Sequence, residues 1–309
     1  MNLRTLLPLA AAALLLTGCT DIRNRLSPDV LAVHIADRTE FAVHDAGLPA
    51  PLSAYAAEPG LLCDALRRAS GEEVSTGHLT LLAVSGDPGR VLPEWFSQRK
   101  IAPTCAVLVL RENACSVLRS GSLPTPEQIS AAVSTGALPC RTADAVTGDL
   151  WGGSGVTALH CLEAGRLTLL LRDSDTDLGT LSADACRGLA LLGSRWEHFT
   201  AAAEDGTVFS VQRAALRIAA EEIEGRLRFT VRGQIFCSPA DSAAESALCE
   251  MLTAALTESA GEAGADLTAL RESAIRDGIS AAEQCTQAQW RALLMQAEYR
   301  TEPEILSAL

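Results

Sequence analysis

Leu79 to Leu110 reads LTLLAVSGDPGRVLPEWFSQRKIAPTCAVLVL. Two apolar runs, Leu79–Val84 and Ala106–Leu110, sit at its ends, and neither alternates with polar residues as a half-exposed strand would. Such runs fit strands covered on both faces. Between them Arg90–Gln98 has the length and spacing of a short helix. Strand, helix and strand in that order predict a βαβ crossover with parallel pairing.

The segments on either side extend this pattern. Upstream, Val30–Ala36 predicts a strand, Asp37-Arg38-Thr39 a turn and Glu40–His44 the hairpin partner. Gly47–Pro59 is rich in Gly, Pro and Ala and reads as loop. Leu61, Leu62, Ala65 and Leu66 share one helical face that stops near Gly71. Downstream, Thr125-Pro126-Glu127-Gln128 combines an N-cap, Pro at the first helical position and a capping-box Gln. Ala137–Gly155 shows little periodicity and reads as a domain boundary.

Beyond it, Val156–Leu162 and Arg166–Leu171 read as strands around Glu163-Ala164-Gly165. An acidic turn follows, then a helix over Ala183–Leu192 capped by Ser182 and closed by Gly193. A strand is expected at Val208–Arg213. Arg226–Arg232 alternates, with Leu227, Phe229 and Val231 on one face, as a half-buried antiparallel strand does. Ser238 and Pro239 are read as the start of a long helix with a stripe of Leu248, Met251, Leu252, Ala255 and Leu256. A second helix is expected to carry Ala263, Leu267, Leu270 and Ala274.

The first nineteen residues have a different purpose. Arg4 gives a positive start, Leu6–Leu16 is apolar, and Leu16-Thr17-Gly18-Cys19 closes the segment. Eleven apolar residues suit a signal peptide, whereas a membrane-spanning helix needs ~20. Small Gly18 before a cysteine, with leucine three before it, is the pattern of a lipoprotein signal. The Cys19 thiol takes a diacylglyceryl group as a thioether, and cleavage occurs before it. The expected architecture is α+β: a lipoprotein signal peptide over 1–18, followed by three consecutive mixed α/β domains. These are an N-terminal α/β domain over 19–140, a middle α+β domain over 150–200 and a C-terminal α+β domain with long helices over 205–309.

Composition narrows the function. The chain is 48% hydrophobic, enough to build cores, and carries a formal charge of −13. That balance argues against nucleic acid, whose affinity rests on Lys and Arg neutralising phosphates. It also leaves no polybasic patch for lipid, so the acyl chains on Cys19 must hold the membrane. The other nine cysteines, at 63, 105, 115, 140, 161, 186, 237, 249 and 285, form no C-x-x-C and no metal spacing. An exported chain can oxidise them, but core-like settings such as those of Cys105 and Cys249 favour small buried thiols.

Each candidate for chemistry has a plainer explanation. Ser97-Gln98-Arg99-Lys100 spells S-x-x-K, yet Lys100 is the only lysine and the K-T-G that accompanies it is absent. Asp173, Asp175, Asp177 and Asp184 fall at positions 1, 3, 5 and 12 of a calcium loop. Position 6 is Leu178 in place of Gly, and position 12 lacks the bidentate Glu, so a solvated acidic turn running into a helix N-terminus is the simpler account. Ser154 lies in Gly152-Gly153-Ser154-Gly155, where Val156 breaks the nucleophile elbow, and reads as flexible linker. His34, His44, His78, His160 and His198 have no paired spacing. The expectation is no catalytic residue, no metal site, no cofactor and no enzymatic activity.

Several stretches together resemble the Ger(x)C family, the C-subunit lipoproteins of spore germinant receptors. Cys19-Thr20-Asp21-Ile22-Arg23 is similar to the start of mature members except at Thr20, where they carry an aromatic. Gly77-His78-Leu79-Thr80-Leu81-Leu82 is similar to a Gly-His leading into an apolar strand. The strongest likeness is Asp175–Leu192, with Gly179, Leu181, Arg187, Gly188 and Leu189. Gly264-Ala265-Asp266-Leu267, then Trp290 before a final strand, is similar to the family's C-terminal domain. Departures are the almost lysine-free surface and an end at Leu309 that leaves little room for a last strand.

The resemblance implies a non-enzymatic, three-domain lipoprotein outside the membrane, anchored through Cys19. It would act in spore germination with polytopic membrane subunits that turn nutrient binding into ion release. A small-molecule nutrient is a further partner that it permits. No ligand residues carry over; Gly188 is read as allowing close helix packing and Arg187 as pairing with a carboxylate. The competing reading is an extracytoplasmic solute-binding lipoprotein of a transporter, which needs two similar lobes that the sequence does not duplicate. A surface hydrolase rests only on isolated Ser and Asp residues.

Overall fold

The computed structural model describes residues 25–86, 92–98 and 101–308. Cys19 and the signal segment lie outside the described residues, as do Lys100 and the side chain of Ser97. The elements run β1 (Arg25–Leu26), β2 (Val30–His34), β3 (Thr39–His44), β4 (Leu52–Ala56), α1 (Leu62–Ser70), β5 (Glu73–Val74), β6 (Leu81–Ser85) and α2 (Leu92–Ser97). Next come β7 (Ala106–Leu110), α3 (Ala114–Arg119), α4 (Pro126–Ser134), α5 (Ala143–Gly152), β8 (Thr157–Glu163), β9 (Arg166–Arg172), β10 (Asp177–Thr180) and α6 (Ala183–Gly193). The chain closes with β11 (Phe199–Ala202), β12 (Val208–Ile223), β13 (Arg226–Ser238), α7 (Ser242–Leu256), α8 (Leu270–Arg276), α9 (Ser280–Gln284), α10 (Gln287–Leu294) and β14 (Glu298–Ser307). The class is α+β, as the sequence indicates.

The described residues form two compact units. One holds those up to Cys105 together with Glu112–Leu123; the other holds Ala106–Arg111 and the chain from Pro124 onward. In the first unit the strand order is β6-β2-β3-β4. β6 runs parallel to β2, while the β2–β3 and β3–β4 pairs are antiparallel. Leu81, Leu82, Ala83 and Val84 are all fully buried, the two-faced covering that an unalternating run requires. α3 supplies cover by packing on β2, β3 and β6. It starts where Asn113 caps Ser116 N–H at 2.9 Å and the Ser85 hydroxyl accepts from Ala114 N–H at 2.8 Å.

The short strands β1 and β5, together with β4 and α3, escape the sequence reading. β4 lies inside Gly47–Pro59, expected to be loop. Its inward residues are Ala54 and Ala56, small side chains that give little hydrophobic alternation, and pairing with β3 supplies what propensity does not. α3 is a single short turn-and-a-half whose apolar residues have no room to show a period.

In the second unit β7 pairs parallel with β8, and β8–β9 and β9–β10 are antiparallel. Ala164 and Gly165 turn the β8–β9 hairpin with φ of 49° and 75°, the left-handed pair a two-residue type I′ connection needs. A second sheet has the order β11-β12-β13-β14. Its core carries Phe229, edge-on to Trp290 at 6.3 Å and stacked with Tyr299 at 5.9 Å between ring centroids. β14 runs parallel to β13 through Ser307, the final strand expected after Trp290.

The differences in this unit are instructive. Ala137–Gly155, expected to be irregular, contains helix α5. α6 runs to Gly193, and Ser194 at φ 50° takes the left-handed closing position. The long helix does not begin at Ser238-Pro239: β13 extends through Ser238, and Asp241 caps α7 by accepting from Ala244 N–H at 2.9 Å. Either pair satisfies local capping rules; the register of β13 against β12 out to Ser238 decides between them. The stripe from Leu248 to Leu256 is buried as expected. Ala263 and Leu267 are not helical, and only Leu270 and Ala274 lie in α8.

The nine described cysteines form no disulfide with one another. Burial pushes Cys105 and Cys115 up to about 12 and Cys186 up to about 11, which keeps them protonated and unreactive.

Candidate functional site

A cleft of about 410 Å³ opens in the second unit. Its walls come from four separate places: the segment between α4 and α5, the end of α6, the middle of β12 and the approach to α8. Leu138, Leu189, Leu192, Leu216 and Ile218 supply an apolar lining, while Arg141, Arg195, Arg217 and Asp144 bring charge and Trp196 an indole.

Three buried polar residues hold these walls. His160, 1% exposed on β8, has Nε2 3.1 Å from the carbonyl of Pro139. A donor is needed there, which assigns the proton to Nε2 and leaves Nδ1 without a partner. Burial pushes its pKa down to about 4. Arg141 donates from Nε to the Ala158 carbonyl at 3.1 Å and from Nη2 to Thr157 Oγ1 at 3.1 Å, and pairs with Asp149 on α5. Burial raises the Asp149 carboxyl above its ordinary value against the pull of Arg141 and Thr157.

Asp266 is the third. Its carboxylate accepts from Leu270 N–H at 2.6 Å, Arg271 N–H at 3.0 Å and Trp290 Nε1–H at 2.8 Å. It thus satisfies the first turn of α8 from outside the helix and ties it to α10. Burial raises this carboxyl too, while the indole and the two N–H groups pull it back. Ala269, on the cleft wall, is held at φ 56°, a left-handed conformation that costs an alanine of order 1 kcal/mol or more and persists only where the surroundings impose it. Replacing Asp266 by alanine should orphan three buried donors. We expect a loss of about 3 kcal/mol in urea unfolding, with Asp266→Asn losing less because it keeps one acceptor.

The residues singled out from sequence are dispersed. Asp173 accepts from the N–H groups of Asp175 and Thr176 and pairs with Arg291 at 3.2 Å, while Asp177 pairs with Arg172. Arginines and backbone therefore hold two of the four carboxylates of the calcium-like spacing. Among the described residues no group of His, Cys, Asp or Glu could hold a metal ion. Ser154 is a correction: it is 4% exposed and its hydroxyl accepts from Asp266 N–H at 3.0 Å, so the Gly-rich stretch is a packed joint and not a flexible linker. His34 bonds Ser85 and His44 pairs with Asp29, far from His160 in the chain.

The motifs of the family resemblance are structural supports. Gly188 is where α6 meets α7: a Cβ there would lie 2.0 Å from the Met251 carbonyl oxygen. Arg187 reaches Asp184 at only 3.9 Å, largely in solvent. No sequence motif marks the cleft, because Arg195, Arg217 and Trp196 sit in none. Only a buried histidine and arginine in otherwise apolar strand and turn positions hint at it.

No family model matches the chain, and no curated protein does. Among solved structures, the crystal structure of the GerBC protein matches with a TM-score of 0.56 at 12% identity, covering 90% of this chain and 97% of that one. The chain has a Ger(x)C-like α+β fold.

Proposed function

We propose that this chain, with its Ger(x)C-like fold, is the lipid-anchored, non-enzymatic C-subunit of a nutrient germinant receptor. It would stand outside the membrane, tethered by a diacylglyceryl group on Cys19, and act in spore germination by docking onto polytopic membrane subunits. The observation that carries this reading is the GerBC likeness over nine-tenths of the chain. The lipoprotein signal and the ordered motifs from Cys19 to Trp290 support it independently. No described helix is long and apolar enough to cross a membrane, so in this reading the attachment falls to the acyl chains. Two chains anchor stably where one binds only marginally.

Deleting the gene should impair nutrient-triggered germination while spores still respond to a non-nutrient trigger. Cys19→Ala should abolish palmitate labelling, move the protein out of the membrane fraction and reproduce the deletion. A normal nutrient response in a strain without a redundant receptor would overturn the assignment. So would co-purification with an ATPase and permease in place of two polytopic subunits.

A further inference from the structure

We propose that the cleft of the second unit binds a small organic carboxylate with an apolar body. Its volume of about 410 Å³ is that of a small-molecule site, where binding cavities span roughly 300–1,000 Å³. Leu138, Leu189, Leu192, Leu216 and Ile218 give part of the lining an aliphatic surface for a hydrocarbon body, and polar groups line the rest. Arg195 and Arg217 are exposed at the cleft; neither makes a direct ion pair with a described residue, and the nearest acidic influence on Arg217 is Asp277, whose carboxyl its charge helps to hold down. Arg141 is different, since Asp149 already meets its charge.

The sign of the cleft is opposite to that of the chain. A protein of formal charge −13 here lines a cleft with the guanidiniums of Arg195 and Arg217 and one carboxylate, Asp144, while Asp277, near Arg217, stands outside the lining. Low-dielectric walls concentrate that field on an entering anion, and a guanidinium offers paired donors that match a carboxylate. Asp144 and the apolar lining disfavour a small dianion such as phosphate. The walls are also built in advance. His160 holds Pro139, Arg141 holds its own segment to β8, and Asp266 fixes the start of α8. Buried polar groups are expensive to place, and these three are spent on one cavity, so little ordering remains for the ligand to induce. A carboxylate site here requires nothing of the receptor role.

The test titrates the full-length chain in non-ionic detergent with para-fluorobenzoate, followed by fluorine NMR. Para-fluorobenzamide, equal in shape and uncharged, and inorganic phosphate run alongside. The carboxylate should bind at least about tenfold more tightly than either. Arg195→Gln combined with Arg217→Gln should remove that margin and leave the thermal midpoint unchanged, because both side chains are exposed. Added salt should weaken the carboxylate and not the amide. Equal binding of acid and amide, phosphate binding as tight as benzoate, or an intact margin in the double variant overturns the proposal. Absence of saturable binding below about 10 mM does so as well.

Discussion

Replacing Gly188 by alanine should cost the protein about 3 kcal/mol or more, and valine at that position should prevent folding. The reason lies in the contact between α6 and α7. A Cβ on Gly188 would stand 2.0 Å from Met251 O, 2.6 Å from its carbonyl carbon and 2.8 Å from the Ala255 methyl. None of these is the end of a flexible side chain, so the two helices must separate along a seam that includes Leu189, Leu252 and Ala255, all buried. Overpacking usually costs ~1–3 kcal/mol, and a clash with backbone lies at the top of that range. Gly193 is the control. It ends the same helix with nothing within 4 Å of an added Cβ, so Gly193→Ala should be neutral or stabilise by up to about 1 kcal/mol. Urea unfolding of the two variants checks this; a Gly188→Ala midpoint matching the wild type would show that the helices have slack.

His160 should make the second unit acid-sensitive in a defined window. In the unfolded chain it titrates near ~6.5; in the fold, burial holds it at about 4. Above pH ~6.5 both states are neutral at this residue and it contributes no pH dependence. As pH falls from there, the unfolded chain takes up a proton that the folded one refuses, so stability drops. The slope approaches 1.4 kcal/mol per pH unit and levels off near pH 4, for a total of about 3 kcal/mol. Asp149 and Asp266, raised by burial, act in the opposite sense at the acid end, because the fold binds their protons first. A difference measurement isolates the histidine. His160→Gln keeps a donor toward Pro139 and removes the titration, so its stability relative to wild type should improve by about 3 kcal/mol between pH 7 and pH 4. Parallel pH profiles for the two proteins would assign the acid sensitivity elsewhere.

The elements that were legible carry their own chemistry. Thr125 and Gln128 form the reciprocal capping box, and Ser182 accepts from Ala185 N–H at 3.1 Å, because a cap is a contract between residues three apart. The β2–β3 hairpin, the β8–β9 hairpin and the α7 stripe were likewise readable, since turn residues and apolar spacing act within a few positions. Misreadings arise where a neighbour distant in sequence supplies the missing energy. β4 rests on β3, and β12 runs on to Ile223 because β13 pairs with it residue by residue. Ser154, read as a flexible linker residue, is buried against a backbone N–H more than a hundred positions away.

By itself, then, the sequence determined the α+β class, most strand and helix positions, the expectation of a lipidated Cys19 and the tight seat for Gly188. The tertiary structure alone decided that Arg195, Arg217 and Trp196 share a cleft, and that His160, Arg141 and Asp266 hold its walls. The physical reason is range. Capping and periodicity are settled by groups a few residues apart, whereas a cavity is the space left between segments whose approach depends on how the whole core packs.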